Sequence, residues 1–161
     1  YGTGKPSPLG MCIKNGIIYG DYMTSYSVMA VKKDGTIYTP AQGLMGKDLL
    51  AAGVKDTYNF GPILIKDGQA QLPWAETEKY YPRTAVGMVK PNDYVLLVTD
   101  TGSYAGLNHW DMVNIFKSYG CTYAYNLDGG GSATLYFNGK VMNKLIGSTQ
   151  RPCADFLYFT R

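Results

Sequence analysis

Thr122-Tyr123-Ala124-Tyr125-Asn126-Leu127-Asp128-Gly129-Gly130-Gly131-Ser132 says more about the architecture than any other run in the chain. Up to Asp128 it alternates. Tyr123, Tyr125 and Leu127 share one face of a strand, and Ala124, Asn126 and Asp128 share the other. Three glycines follow, and residues 133–137 then resume as a strand that enters the Asn138-Gly139 turn. A dinucleotide fingerprint needs its glycines to open a helix, and a Walker loop needs Gly-Lys-Ser/Thr. Neither context exists here, so the glycines connect strand to strand in a hairpin-built fold.

Working outward, the same turn chemistry recurs. Asn15-Gly16, Asp34-Gly35 and Asn138-Gly139 each separate two short runs, Asp67-Gly68 follows the run 63–65, and Pro91-Asn92 separates 84–89 from 94–99. Asn-Gly and Asp-Gly accept the positive φ of tight hairpins. Residues 154–159 read as a last, buried strand. Two segments read as helices. Asn108 is placed to cap one, with Asp111 in its first turn and Gly120 as its stop. Met112, Val113, Ile115, Phe116 and Tyr119 share its apolar face. The other is shorter, 44–52, closed by Gly53. The expected fold is α+β: one domain over 1–161, a mixed, mainly antiparallel sheet with two covering helices.

The 161 residues are 45% hydrophobic, enough for one core. The net charge of +3 comes from singly spread Lys and Arg, which argues against nucleic acid. No run approaches the ~20 apolar residues of a membrane span. Cys12, Cys121 and Cys153 allow one disulfide at most, and Cys121 reads as a buried hydrophobe. His109 is the only histidine and reads as a packing residue, so no metal site and no cofactor are expected.

Asp128 and Asn126 place a polar pair at a strand end, where reacting groups commonly sit. Gly129, Gly130 and Gly131 would offer successive N–H groups as an anion-binding concavity, and Ser132 a hydroxyl. Arg83 and Arg151 have the planar guanidinium that grips phosphate in a two-pronged way; a solvated or salt-bridged arginine is the ordinary alternative. Asp100 reads equally as a second carboxylate or as a turn cap before Thr101-Gly102. Trp74 and Trp110 are candidate sugar platforms, with packing favoured for Trp110, and Glu76 and Glu78 read as solvated loop residues.

The string 126–135 resembles the hallmark of the phosphodiester glycosidase family. Gly61-Pro62-Ile63-Leu64-Ile65-Lys66-Asp67-Gly68, Pro82-Arg83-Thr84-Ala85-Val86-Gly87, Leu97-Val98-Thr99-Asp100-Thr101-Gly102, Asn143 and Arg151-Pro152 are similar to its other segments, in order. The resemblance implies hydrolysis of a sugar-1-phosphodiester of the N-acetylglucosamine type, in an extracellular or cell-surface setting. Asp128 and Asp100 would be catalytic, while Arg83, Thr84, Asn126, Gly129, Gly130, Gly131, Ser132 and Arg151 would bind substrate. It also implies one further strand ahead of Tyr1, bearing an Asn. A chain without that strand would expose a sheet edge open to self-association. A phosphate leaving group needs little acid help, since its last proton has a pKa near ~6. One carboxylate, two arginines and the glycine turn therefore suffice. The rival readings are a non-catalytic binder of cell-wall or exopolysaccharide phosphodiesters, a metal-dependent phosphodiesterase using Asp128 and Asp100, and a purely structural domain.

Overall fold

Turn chemistry sets the strand pairs. The structure, a computed structural model, describes residues 9–72, 80–100, 106–147 and 149–160. β1 (Cys12–Lys14) and β2 (Ile17–Gly20) pair across Asn15 and Gly16, at φ 50° and 77°. These are the two left-handed positions of a type I′ hairpin. β6 (Ile63–Lys66) with β7 (Gln69–Ala70), and β11 (Tyr136–Phe137) with β12 (Lys140–Val141), pair across Asp67-Gly68 and Asn138-Gly139 in the same way. β3 (Ser27–Lys32) turns into β4 (Ile37–Tyr38), and β8 (Thr84–Lys90) into β9 (Asp93–Val98). Every ladder among the described residues is antiparallel.

The strands stack in layers between the two helices, α1 (Gly46–Ala51) and α2 (His109–Ser118). With β10 (Tyr123–Leu127), the larger sheet runs β7-β6-β10-β8-β9, and with β5 (Val54–Phe60) the smaller runs β4-β3-β5. Alternation assigns each residue its layer. Ala85 and Ala124 face α2, packing on Met112, Val113 and Phe116, whereas Val86, Met88, Tyr123 and Tyr125 face the smaller sheet through Met29, Ile37 and Tyr58. The smaller sheet's other face buries Val28, Ala30 and Val54 against Leu49 of α1 and Met11 and Ile13 around β1. Gly87 leaves room for α2: a Cβ there would lie 2.5 Å from the Phe116 ring and 2.7 Å from Cys121 Sγ. Phe116 is fully buried, and truncating such a ring to alanine costs about 3–5 kcal/mol.

α2 begins where its sequence says. Asn108 Oδ1 accepts from the Asp111 N–H at 2.8 Å, and Gly120 at φ 74° ends it. The face differs at one residue, since Tyr119, at the C-cap, is exposed. One strand is added and one reading changes. β5 is a strand that Lys55, Asp56 and Asn59 hide, because its apolar period is broken: burial falls on Val54, Thr57 and Tyr58. Residues 154–159 are not a buried strand. They form no ladder among the described residues, and Phe156 and Tyr158 are exposed. Side chains pin them instead. Lys14 pairs with Asp155 at 2.8 Å, Leu157 packs on the layer between the sheets, and Phe159 lies 5.1 Å from the Tyr94 ring. Cys12, Cys121 and Cys153 are free thiols. No helix among the described residues is long and apolar enough to cross a membrane.

Candidate active site

The site forms where β10 ends beside the start of β8. Leu127 pairs with Thr84, so the residue after one strand meets the residues before the other. Gly129 and Gly130 make this approach possible, each differently. A Cβ on Gly129 would lie 2.5 Å from the Pro82 carbonyl oxygen, so only glycine lets the two segments close. Gly130, at φ 57°, takes a left-handed step into a single 3₁₀ turn over Gly130–Ser132. Gly131 faces Arg151 at ordinary contact distance.

That turn gathers the charge. Asp128 Oδ1 accepts from the Gly129 N–H at 2.9 Å; Oδ2 accepts from Ser132 Oγ at 2.8 Å and from Arg151 at 2.7 Å. Arg151 also donates to Ser132 Oγ. Asp128 and Arg151 are 41% and 40% exposed, so their ion pair contributes at most about 1 kcal/mol and exchanges easily for another anion. Arg83 lines the same cleft. Its Nε donates to the Leu107 carbonyl at 3.1 Å, its guanidinium lies over the Tyr81 ring, and its N–H donates to Thr99 Oγ1. Burial pushes the Arg83 pKa below its ordinary value, opposed by the nearby Tyr81 oxygen. The cleft is about 210 Å³, walled by Phe60, Tyr81, Pro82 and Arg83 on one part and 128–131 with Arg151 on another.

Four expected roles change with this geometry. The glycine amides do not make a continuous anion cradle: the Gly129 N–H goes to Asp128, and the Gly130 N–H to the Pro82 carbonyl at 2.8 Å. Among the described residues only Gly131 of the three keeps an unpartnered N–H. Asn126 is buried, and its Nδ2 donates to the Gly61 carbonyl at 2.7 Å, so it holds a corner of the fold and does not line the cleft. The Thr84 hydroxyl is also buried and away from the cleft lining. Asp100 accepts from the Lys144 N–H at 3.2 Å in a different cleft of about 460 Å³, with Leu97, Leu107, Ile115, Leu135, Met142 and Asn143. His109 is buried in the first turn of α2, and Trp110 packs against the core. Trp74, Glu76, Glu78, Thr101 and Gly102 lie outside the described residues.

Asn143 explains how the tail reaches the site. Its Oδ1 accepts from the Leu135 N–H at 2.7 Å and its Nδ2 donates to the Ala133 carbonyl at 2.9 Å, closing the base of the β11–β12 hairpin. The chain beyond it then returns to bring Arg151 onto Asp128.

A family model described as phosphodiester glycosidase matches residues 1–160, the whole extent of this site and its scaffold. The chain belongs to the phosphodiester glycosidase family. Within it, the chain is 31% identical over 160 residues to the SPbeta prophage-derived uncharacterized protein YomE of Bacillus subtilis, spanning 92% of this chain and 25% of that protein. It is 29% identical over 156 residues to the N-acetylglucosamine-1-phosphodiester alpha-N-acetylglucosaminidase of Mus musculus, spanning 81% of this chain and 29% of the mouse protein. The chain thus spans under a third of the length of these relatives. The zebrafish N-acetylglucosamine-1-phosphodiester alpha-N-acetylglucosaminidase catalytic domain, auto-inhibited by its pro-peptide, shares the fold. Its TM-score is 0.69 at 23% identity, over 89% of this chain and 54% of that one. A hypothetical protein from Synechocystis aligns at TM-score 0.51 and 16% identity, over 78% and 32%.

Phe60, Tyr81 and Pro82 join the cleft without having been named as site residues from the sequence. The available signal was position: Phe60 directly precedes Gly61-Pro62, and Tyr81-Pro82 directly precede Arg83-Thr84.

Proposed function

We propose that this chain hydrolyses a sugar-1-phosphodiester of the N-acetylglucosamine type to the free sugar and a phosphomonoester. The observation that carries this reading is one carboxylate, Asp128, sharing a small cleft with two arginines, Arg83 and Arg151. A glycosidase acting on an ordinary ether-type leaving group needs a carboxyl acid to protonate the departing oxygen. A phosphomonoester leaves without one, because its charge is already stable near neutral pH. Cations around the phosphate then supply the stabilisation, and one well-placed donor is worth roughly 3–4 kcal/mol.

The hydrogen bonds suggest the order of events. The pair between Arg151 and Asp128 Oδ2 is exposed. An incoming phosphodiester offers the guanidinium two oxygens, so Arg151 turns to the phosphate and frees Oδ2. Asp128 then acts at the anomeric carbon, either as the base that takes a proton from the attacking water or as a nucleophile whose glycosyl ester water then hydrolyses to free sugar. The bond from that carbon to the bridging oxygen breaks, and the phosphomonoester departs with the electron pair. Ser132 Oγ, released with Arg151, donates to the phosphate. Arg83, its Nε fixed on Leu107, flanks it. The family likeness supports an extracellular or cell-surface setting for this reaction.

The test is incubation with an N-acetylglucosamine-1-phosphodiester, with free sugar and phosphomonoester read separately. The proposal expects both in equal amounts. Sugar-1-phosphate with a free alcohol would make the chain a phosphodiesterase, and tight binding without products would make it a binder.

A further inference from the structure

Phe60 lines the Asp128 cleft, and its ring is stacked on Tyr26 with centroids 6.0 Å apart and planes 8° from parallel. The backbone that carries this ring is fixed from several directions. The Phe60 N–H donates to the Tyr125 hydroxyl at 2.8 Å, and that hydroxyl donates to the Ser27 carbonyl at 2.5 Å. Just beyond it, the Gly61 N–H donates to the Asn126 carbonyl at 3.1 Å while Asn126 Nδ2 donates back to the Gly61 carbonyl at 2.7 Å. Phe60 is also the residue of β5 that pairs with Ser27, at the end of the β3–β5 ladder. A half-buried aromatic residue whose backbone is held by buried groups, and whose ring is backed by a second ring, thus forms part of the apolar wall of the cleft that Asp128 and the arginines also line.

Ligand clefts combine a few oriented polar groups with apolar or aromatic walls. Here the polar groups account for a phosphate and an anomeric carbon, and of the two aromatic residues in the lining Tyr81 has the Arg83 guanidinium over its ring, which leaves Phe60 for the body of the sugar. A pyranose has one face of C–H bonds, weakly positive at their hydrogens, and an aromatic face is negative. We infer that Phe60, backed by Tyr26, is the sugar-stacking wall of the cleft and determines its specificity for a pyranose ring. The inference rests on the reaction proposed above for where the sugar sits.

Two measurements on Phe60→Leu, Phe60→Trp and Tyr26→Leu test it: binding of free N-acetylglucosamine by titration, and kcat and KM on N-acetylglucosamine 1-(methyl phosphate). Phe60→Leu keeps apolar bulk and removes the flat face. It is expected to weaken sugar binding and raise KM by about tenfold, one good aromatic contact, with kcat changed little. Phe60→Trp is expected to keep both, and Tyr26→Leu to show a smaller loss of the same kind. Unchanged sugar affinity in Phe60→Leu overturns the inference, as does failure of the parent chain to bind the free sugar. A loss seen only with a bulky aglycone in place of methyl also overturns it, because the wall would then serve the other side of the phosphate. Sugar binding is read without turnover. A parent that binds sugar but forms no product therefore refutes the reaction and leaves the Phe60 comparison decisive.

Discussion

Asp128 and Asp100 stand in matching places. Each lies just past the end of a strand of the larger sheet, β10 and β9, and each is followed by glycine within two residues. Their surroundings differ. Asp128 meets Arg151, Ser132 and the Gly129 N–H in a cleft that Arg83 also lines. Among the described residues Asp100 accepts one backbone N–H, from Lys144, beside a wider groove walled by Leu97, Leu107, Ile115, Leu135 and Met142. A carboxylate can serve a phosphate-bearing substrate only where cations offset the repulsion between the two negative groups. Position at a strand end supplies reach, and the neighbouring charges decide what that reach is for.

Removing the charge at the first site should have the largest effect. Asp128→Asn keeps shape and is expected to lower kcat by about 10³-fold or more with KM little changed, measured by product release. Residual activity within tenfold of the parent would break the contrast and return attention to Asp100. Next come the cations. Arg83→Lys and Arg151→Lys should each cost about 10²-fold in kcat/KM, since a point charge cannot reproduce a two-pronged grip. For Arg83 the loss should be larger on a phosphodiester than on a neutral aryl glycoside of the same sugar. Equal losses on both would assign Arg83 to the scaffold.

The turn itself sharpens the comparison through stability. Gly129→Ala forces a Cβ to 2.5 Å from the Pro82 carbonyl, an overpacking that should lower unfolding free energy by about 1–3 kcal/mol and displace Asp128 from Arg83. Gly131→Ala, whose Cβ meets Arg151 no closer than 3.6 Å, serves as its control and should melt near the parent. The smallest effect is expected at the second carboxylate. Asp100→Asn should keep kcat/KM within about threefold, the range of a surface change away from the chemistry.

Much of this contrast could be read from the sequence, and the part that could not has a physical cause. Asn15-Gly16 and Asp67-Gly68 revealed their hairpins because the left-handed turn is a local demand met by local residues. Asn108 and Asp111 revealed the start of α2 for the same reason. The alternation of 122–128 sorted Tyr123 and Tyr125 from Ala124 correctly, since one face meets the smaller sheet and the other meets α2. It could not say that Asn126 would turn to Gly61 and leave Asp128 alone at the cleft, because that depends on the Gly61-Pro62 corner 65 residues away. The glycine triplet suggested an amide cradle. The approach of Pro82, set by the β8–β10 register, takes the Gly130 N–H instead. β5 was left unassigned and the 154–159 segment was misread for a shared reason. Whether a run becomes a strand depends on an available ladder partner: Lys55 and Asp56 hid a run that β3 pairs, and the apolar look of 154–159 suggested one that nothing among the described residues pairs.

The central claim is that water enters at the sugar carbon and that Asp128 brings this about. Hydrolysis of an N-acetylglucosamine-1-phosphodiester in water enriched in ¹⁸O tests it most directly, with the phosphomonoester product analysed by mass for parent and Asp128→Asn. The account predicts an unlabelled phosphomonoester from the parent, released together with free sugar, and neither product from the variant. Label in the phosphate, or undiminished release by Asp128→Asn, would contradict it.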